Sequence, residues 1–284
     1  VLVREEGRIF AGFSSPPVQI EKSATPDVTA VLTLLRAARK PLLYSGGGVR
    51  LAHAEESFRA FVETSALPGV VTLQGIGNAG RNHPLNLGML GMHGSRAANH
   101  AVDACDLLLV IGARLDDRAT GRLDTFAPHA RLIHIDADQA EINKVRPADT
   151  ALRGDLNAIL ASLASSLRKQ PLEIGDWQSQ CRTWLTTGGF AAADNEEPLA
   201  PITGPAFIRQ LSRITPAHAV IACDVGQHQM WVAQHYQFSH PRHHLSSGGL
   251  GAMGFGLPAA IGAQFANRHG LVMNVAGDGS FMMN

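Results

Sequence analysis

Apolar residues fall along this chain in two rhythms that alternate from Ser23 onward. Pro26 and Asp27, with Ser23 or Thr25 as the cap, set a helix start, since proline suits a first helical turn. Val31, Leu34 and Leu35 repeat at helical spacing until Pro41. Leu42-Leu43-Tyr44 is a short apolar run that closes on Gly46-Gly47-Gly48. The pattern then predicts a helix over Leu51–Phe61 and a strand over Pro68–Leu73. Leu107–Ile111 is an unbroken aliphatic run between Asp106 and Gly112, and Arg131–Ile135 is another strand, followed by Asp136 and Asp138. Asp155 caps a helix that runs through Leu167. Strands that read as continuous apolar runs and alternate with helices imply a parallel sheet covered on both faces. Ligands of such sheets sit beyond the carboxyl ends of the strands. Gly46–Gly48, Gly112, Arg114 and Asp136 all fall there.

The rhythm breaks at residues 168–203, where Pro171, Gly188-Gly189, Pro198 and Pro201 accumulate. Trp177, Cys181, Trp184 and Leu185 keep helical spacing inside this stretch and predict one linker helix. The acidic run Asp194-Asn195-Glu196-Glu197 reads as solvated. A second α/β segment opens at Gly204-Pro205, with a helix through Leu211, a strand over Val220–Cys223 and a helix starting near Gln227. A further helix over about Met253–Phe265 and a strand over Leu271–Ala276 lead to Gly277-Asp278-Gly279-Ser280. Residues 1–22 read as an irregular lead-in, with Val1-Leu2-Val3 as the end of a strand. The expected division is a lead-in (1–22), a central domain (23–167), a linker (168–203) and the start of a second domain (204–284). The expected fold class is α/β: a doubly wound parallel central domain of the six-stranded type plus an incomplete second α/β domain, which needs more strands than its residues supply.

Composition narrows the function. In 284 residues, 24 Lys and Arg balance 24 Asp and Glu, which argues against a nucleic-acid or polybasic membrane surface. Aromatic residues make up only 6%, which disfavours base stacking. The run Leu107–Ile111 is far too short to span a membrane. No basic-then-apolar leader opens the chain, which begins at Val1 rather than Met. Cys105, Cys181 and Cys223 are odd in number and widely spaced. They fit buried thiols in a reducing, cytoplasmic setting rather than disulfides or a zinc site. The 29 glycines fall in short clusters, as loops around ligands require.

Each cluster has an ordinary reading beside its chemical one. Gly277-Asp278-Gly279 follows a strand and is either a common strand-ending turn or a backbone loop whose carboxylate meets Mg²⁺. Gly249-Leu250-Gly251-Ala252-Met253-Gly254 has the dinucleotide spacing. However, Arg242–Ser247 before it shows no clear strand pattern, and the acidic partner expected about 20 residues on is missing. The helix after it suits tight packing or a diphosphate at its N-terminus. Gly226-Gln227-His228-Gln229-Met230-Trp231 lies at a strand end, where a histidine is commonly structural. Arg114-Leu115-Asp116-Asp117-Arg118 is a solvated ion-pair cluster or a phosphate contact. Met89-Leu90-Gly91-Met92-His93-Gly94 is a core loop or an adaptable surface for a flat ring. His240, His243 and His244 have no acidic neighbour to complete a metal site.

Taken together and in this order, the Gly91–Gly94, Arg114–Arg118 and Gly226–Trp231 runs, Gly248-Gly249-Leu250-Gly251-Ala252-Met253-Gly254-Phe255-Gly256 and Gly277–Asn284 resemble the large, catalytic subunits of acetolactate (acetohydroxyacid) synthases. The resemblance runs from about Ser23 to Asn284 and implies a thiamine-diphosphate enzyme with three domains, of which this chain carries the central one and the first part of the third. It implies thiamine diphosphate, Mg²⁺ and FAD as cofactors, with Asp278 as the Mg²⁺ ligand. Gly226, Gln227, His228, Gly251, Met253, Gly277, Gly279 and Ser280 would line the thiamine diphosphate. Gly47, Gly48, Thr72, Leu73, Leu90, Gly91, Met92, His93, Gly112, Arg114, Asp117, Arg118, Asp136 and Asp155 would contact FAD, which undergoes no net redox in this chemistry.

The implied reaction decarboxylates pyruvate and joins the remaining two-carbon unit to pyruvate or 2-ketobutyrate, on the route to valine, leucine and isoleucine. The implied partners are small 2-ketoacids and further copies of the chain, as a dimer or tetramer. A small regulatory subunit is left open, and neither nucleic acid nor a membrane is expected. No catalytic residue is expected in this stretch. The family's activating Glu belongs to the first domain, and the Asn that completes the metal site follows well after the Gly-Asp-Gly turn. Little or no turnover is therefore expected from these residues alone. Arg4-Glu5-Glu6 departs from the family, where the opening strand leads into an Asp-Ile-Pro segment. Two readings stand beside this one: a non-catalytic flavin- or nucleotide-binding module, and another thiamine-diphosphate carboligase, decarboxylase or oxidase. The Gln227-His228-Gln229-Met230-Trp231 run disfavours the latter.

Overall fold

Two aliphatic runs that cannot stay in water form the middle of the larger sheet. Pro41–Ser45 (β1) and Leu107–Ile111 (β4) are buried along their whole length and pair in parallel, with Leu43 opposite Leu109 and Ser45 opposite Ile111. The computed structural model describes residues 26–80, 83–188 and 201–284. The lead-in, the Ser23 and Thr25 caps and the acidic run at 194–197 lie outside the described residues. Gly69–Val71 (β2), Asn86–Met89 (β3), Arg131–Asp136 (β5) and Thr150–Arg153 (β6) complete a six-stranded parallel sheet in the order β3-β2-β1-β4-β5-β6. The order reverses between β1 and β4. Parallel α/β sheets bind ligands at such a switch point.

Helices cover both faces, as a parallel sheet requires. They are Thr29–Ala37 (α1), Gly48–Leu51 (α2), Glu55–Ser65 (α3), Arg96–Ala104 (α4), Asp117–Thr120 (α5), Leu156–Lys169 (α6) and Gly175–Gly188 (α7). Phe58, Phe61, Leu160 and Leu163 are fully buried where α3 packs on α6. Each such side chain contributes roughly 1.5–3 kcal/mol by leaving water. Helix α7 joins the same core: Trp177 is buried, and its indole Nε1–H donates to the Pro41 carbonyl at 2.9 Å.

A smaller parallel sheet follows, built from Val220–Cys223 (β7), His244–Ser246 (β8) and Val272–Val275 (β9) in the order β8-β7-β9. Its helices are Gly204–Ile214 (α8), Gln227–His235 (α9), Gly256–Ala266 (α10) and Asp278–Phe281 (α11). The mixed α/β class and the six-stranded parallel sheet agree with the sequence reading.

The element pattern differs in several places, among them β3 and β6, which the apolar pattern does not predict. The helix expected over Leu51–Phe61 is two helices, because His53 takes a left-handed φ of 51° between α2 and α3. The strand expected over Pro68–Leu73 stops at Val71, and Leu73–Gly75 turns as a 3₁₀ helix capped by Thr72. Helix α10 starts at Gly256 rather than near Met253, because Gly254 holds φ 87°. The stretch Arg242–Ser247, which shows no clear strand pattern, contains β8.

The two sheets meet across an apolar seam. Val71, Ile76 and Met89 from the larger unit pack with Ile208, Ile221 and Phe238 of the smaller. Polar ties flank it. Arg242 Nε donates to Glu55 Oε1 at 2.7 Å and Arg242 Nη2 to the Arg50 carbonyl at 3.1 Å. The Arg59 guanidinium donates to the Ser239 carbonyl, and Gln234 Nε2 donates to the His93 carbonyl at 2.9 Å.

His244 lies in this seam beside Phe238, at 4.7 Å between ring centroids. Burial, reinforced by the nearby Arg50 guanidinium, pushes its imidazole down to about 4. An exposed histidine titrates near 6.5, so the neutral ring favours the folded state fully only above that value. Between pH 6.5 and 4 the unfolded chain takes up the proton first, and stability is lost as pH falls. The loss attributable to this group is on the order of 3 kcal/mol. Urea midpoints measured across this range are expected to fall with pH, and His244→Phe is expected to flatten the fall.

Candidate functional site

The carboxyl ends of β1 and β4 are pressed together by glycine. Gly46 N–H donates to the Ile111 carbonyl at 3.0 Å, and Gly48 N–H to the Gly112 carbonyl at 2.9 Å. A Cβ at Gly46 would lie 2.3 Å from the Gly112 oxygen, and one at Gly48 would lie 2.6 Å from Gly112 Cα. Gly112 itself holds φ 57°. At Gly46, Gly48 and Gly112 the absence of a side chain therefore serves backbone packing. Gly47 instead faces Gln74. Asn78, fully buried, donates through Nδ2 to the Gly46 carbonyl at 3.0 Å and fixes this loop from behind.

The other candidates on the larger sheet share this edge. The loops after β3 and β4 enclose a cavity of about 310 Å³ lined by Leu90, Gly91, Met92, Asn99, Asp117 and Arg118. Gly91 holds φ 96° against the Arg118 carbonyl, so the two loops are joined at the backbone. Met92, His93, Arg114, Asp117 and Arg118 are exposed. Leu73 follows Thr72, whose Oγ1 accepts from the Gly75 N–H at 3.0 Å. Asp155 Oδ1 accepts from the Asn157 N–H at 2.9 Å and caps α6. Asp136 is half-buried at the end of β5, and burial raises its carboxyl above the ordinary range despite the bond it accepts from the Asp138 N–H. The edge thus offers glycine loops at the switch point, a cavity of mixed polarity with Arg118 in its lining, and two carboxylates at the ends of β5 and β6.

On the smaller sheet, all three strands end in the second group of candidates. Asp224, directly after β7, is fully buried. Its carboxylate accepts from three backbone N–H groups: Val225 at 2.7 Å, Gly254 at 2.9 Å and Gly256 at 2.8 Å. One side chain therefore holds the loop after β8 and the head of α10 against the end of β7. Gly226 (φ 153°) and Gly251 (φ 63°) take backbone angles that side chains disfavour. Gly226 and Gly277 both face the Nδ1 edge of the His228 ring, whose Nε2 is buried and without a partner among the described residues. Burial lowers the His228 imidazole below its ordinary value, with Asp224 opposing. Gln227 opens α9. Gly277 caps α11, and Asp278, its first residue, is exposed. Ser280 is buried and its Oγ is engaged with the Gly277 backbone at 3.1 Å in both directions. Met253 reaches Gly279, its Cε lying 3.8 Å from the position a Cβ would take there.

This edge passes a physical test for a diphosphate with its cation. It joins side-chain-free backbone from two strand ends, a His228 ring whose Nδ1 edge faces two glycines, the start of α9 and an exposed carboxylate. Gln74, Asn78 and Asp224 organise the two edges. Sequence reading passes over them, because a single Gln, Asn or Asp after a strand carries no spacing signal; for Asp224 the only hint was its place directly after an apolar strand.

Comparison with known proteins supplies the family. A model described as "Thiamine pyrophosphate enzyme, central domain" matches residues 28–163, and one described as "Thiamine pyrophosphate enzyme, C-terminal TPP binding domain" matches residues 224–284. The chain belongs to the thiamine pyrophosphate enzymes. The first match spans β1 to β6, and the second begins at Asp224, directly after β7.

The chain is 48% identical to the acetolactate synthase isozyme 2 large subunit of Escherichia coli over 258 residues, 91% of this chain and 46% of that protein. It is 43% identical to the acetolactate synthase large subunit of Parasynechococcus marenigrum over 283 residues, 99% of this chain and 44% of that protein. It is also 43% identical to the chloroplastic acetolactate synthase 1 of Zea mays over 265 residues, 92% of this chain and 41% of that protein. The chain thus spans less than half the length of these curated relatives. Among the described residues, no helix of this thiamine pyrophosphate enzyme is long and apolar enough to cross a membrane. Its three cysteines are free and buried. Burial pushes the Cys105, Cys181 and Cys223 thiols up to about 12, so they stay protonated at neutral pH.

Proposed function

We propose that this chain supplies the flavin-binding and diphosphate-binding surfaces of an acetolactate synthase. The reaction releases CO₂ from pyruvate and joins the two-carbon remainder to a second 2-ketoacid, pyruvate or 2-ketobutyrate. The observation that carries the reading is the meeting of Asp278, His228 and the Gly226, Gly251 and Gly277 loops on one sheet edge. The names of the relatives support the choice of reaction.

Thiamine diphosphate, when bound, supplies a nucleophilic carbon and a cationic ring that takes up the electron pair left by decarboxylation. This chain's residues hold and orient. Asp278 is the carboxylate that would hold Mg²⁺, a cation that favours carboxylate and phosphate oxygens. Gly226, Gly277 and Gly279 would leave room for the phosphates to approach the backbone, and Gln227 and His228 at the head of α9 would add donors and the positive end of a helix dipole. Ser280 holds the α11 turn in shape. Gly251 and Met253 present a soft apolar surface suited to a flat ring.

On the larger edge, Gly47, Gly48, Thr72, Leu73 and Gly112 would hold FAD together with Leu90, Gly91, Met92 and His93, and Arg114 and Arg118 would supply charge for its phosphates. Asp117, Asp136 and Asp155 complete the polar side. We divide the chain accordingly into a flavin unit, a linker and a diphosphate unit. Buried, protonated thiols fit a reducing compartment such as the cytoplasm. Exposed apolar side chains on the diphosphate unit, Phe265 at 73% and Met282 at 79%, fit self-association as a dimer or tetramer.

The test in the whole protein is acetolactate formation from pyruvate with thiamine diphosphate, Mg²⁺ and FAD. Acetolactate accumulating with CO₂ is expected. Pyruvate consumed without acetolactate would favour a decarboxylase or oxidase instead. For this chain, flavin absorbance retained after dialysis is expected, and its loss would remove FAD from the account.

A further inference from the structure

Gln74 stands on the 3₁₀ turn after β2, between the two candidate edges. Its side chain fills a space that glycines on both sides leave open. A Cβ at Gly47 would lie 2.9 Å from Gln74 Cβ, and a Cβ at Gly248 would lie 2.0 Å from Gln74 Nε2. The amide is hydrogen-bonded at both ends. Nε2 donates to the Ser246 carbonyl, at the end of β8, at 3.2 Å, and Oε1 accepts from Arg50 Nη2 at 3.4 Å. Arg50 belongs to α2, the helix that opens at Gly48. Its own carbonyl accepts from Arg242 Nη2. One side chain therefore touches the glycine loop after β1 and the loop after β8, which carries Gly251 and Met253.

We propose that Gln74 is a positioning residue that couples the two sites, so that filling one edge orders the loop of the other. This rests on the reading that the edges hold FAD and thiamine diphosphate. A loop already ordered by one ligand costs the second less conformational entropy, which gives positive cooperativity without a large movement. Binding linkage makes the effect reciprocal. The Gln74 amide is the direct path for it, because it bonds the end of β8 and Arg50 of α2 and packs against Gly47 and Gly248.

The test is calorimetric titration of the full chain with thiamine diphosphate and Mg²⁺, with and without saturating FAD. FAD is expected to tighten thiamine diphosphate by about fivefold or more, the lower end of common coupling. Thiamine diphosphate is expected to tighten FAD by the same factor. Gln74→Met keeps the length and the packing against Gly47 and Gly248 but loses both hydrogen bonds. It is expected to bind each cofactor with a ratio near one. Gln74→Glu keeps the acceptor for Arg50 and sets a carboxylate against the Ser246 carbonyl. It is expected to lose the coupling too. Coupling retained in either folded variant overturns the proposal, as does a ratio of one in the unaltered chain that binds both cofactors. An unaltered chain that binds only one cofactor, or neither, overturns the two-site reading itself and this proposal with it.

Discussion

Asp224→Ala is expected to release the loop after β8 and cost the smaller unit about 3–5 kcal/mol. The carboxylate is fully buried and accepts from Val225, Gly254 and Gly256. Hydrogen bonds to a charged group are each worth roughly 1.5–3 kcal/mol, and removing the acceptor leaves three donors unsatisfied. Two of the three freed groups lie at Gly254 and the head of α10, so the defect reaches the loop bearing Met253 without touching the larger sheet. Amide exchange at Gly254 and Gly256 is expected to rise at least tenfold while exchange in β1 and β4 is unchanged. Unchanged protection at both glycines would show that the carboxylate does not hold the loop.

Gly46→Ala is expected to cost about 3 kcal/mol or more through overpacking. The added carbon would sit 2.3 Å from the Gly112 carbonyl oxygen and 2.8 Å from Ala113 Cα. Both are backbone atoms, locked by the Gly46–Ile111 and Gly48–Gly112 hydrogen bonds and by Asn78. The strain can be relieved only by parting the ends of β1 and β4, and forced core insertions typically cost 1–3 kcal/mol even where side chains can yield. Gly175→Ala is the control, since nothing lies within 4 Å of the added carbon, and such surface changes stay within about 0.5 kcal/mol. Urea unfolding of both variants checks the pair. A Gly46→Ala midpoint equal to that of Gly175→Ala would contradict the packing.

The parts of the fold legible in the sequence were those written as uninterrupted burial. Leu107–Ile111 and Val220–Cys223 are strands from end to end, because an apolar run with no polar face has one stable place, between two layers. Asp155 caps α6 as its position before a helical repeat suggested. Less legible were the edges. Asn86–Met89 alternates buried and half-buried positions and contains a glycine, and Thr150–Arg153 alternates half-buried and exposed ones. Strands at a sheet margin need little apolar surface and leave little pattern. The short β8 was hidden for a similar reason: three residues starting at His244 do not make a hydrophobic run.

At the candidate site, the residues recognisable as motifs do gather at two sheet edges. The physical reason for several glycines was not visible. Gly46, Gly48 and Gly112 serve contacts between backbone segments far apart in sequence, which no local pattern records. Gln74, Asn78 and Asp224 act through hydrogen bonds of the same long-range kind.

The central claim is that the edge of the smaller sheet holds a diphosphate through a cation on Asp278. Its most direct test is titration of this chain with thiamine diphosphate in the presence of Mg²⁺, in the presence of EDTA, and in Asp278→Asn. Asp278 is exposed and, among the described residues, bonds only within its own turn, so the variant is expected to keep its fold, as its urea midpoint would show. Saturable binding that requires Mg²⁺ and weakens at least tenfold in Asp278→Asn is the expected result. Absence of binding, or equal affinity with EDTA and in the variant, would contradict it.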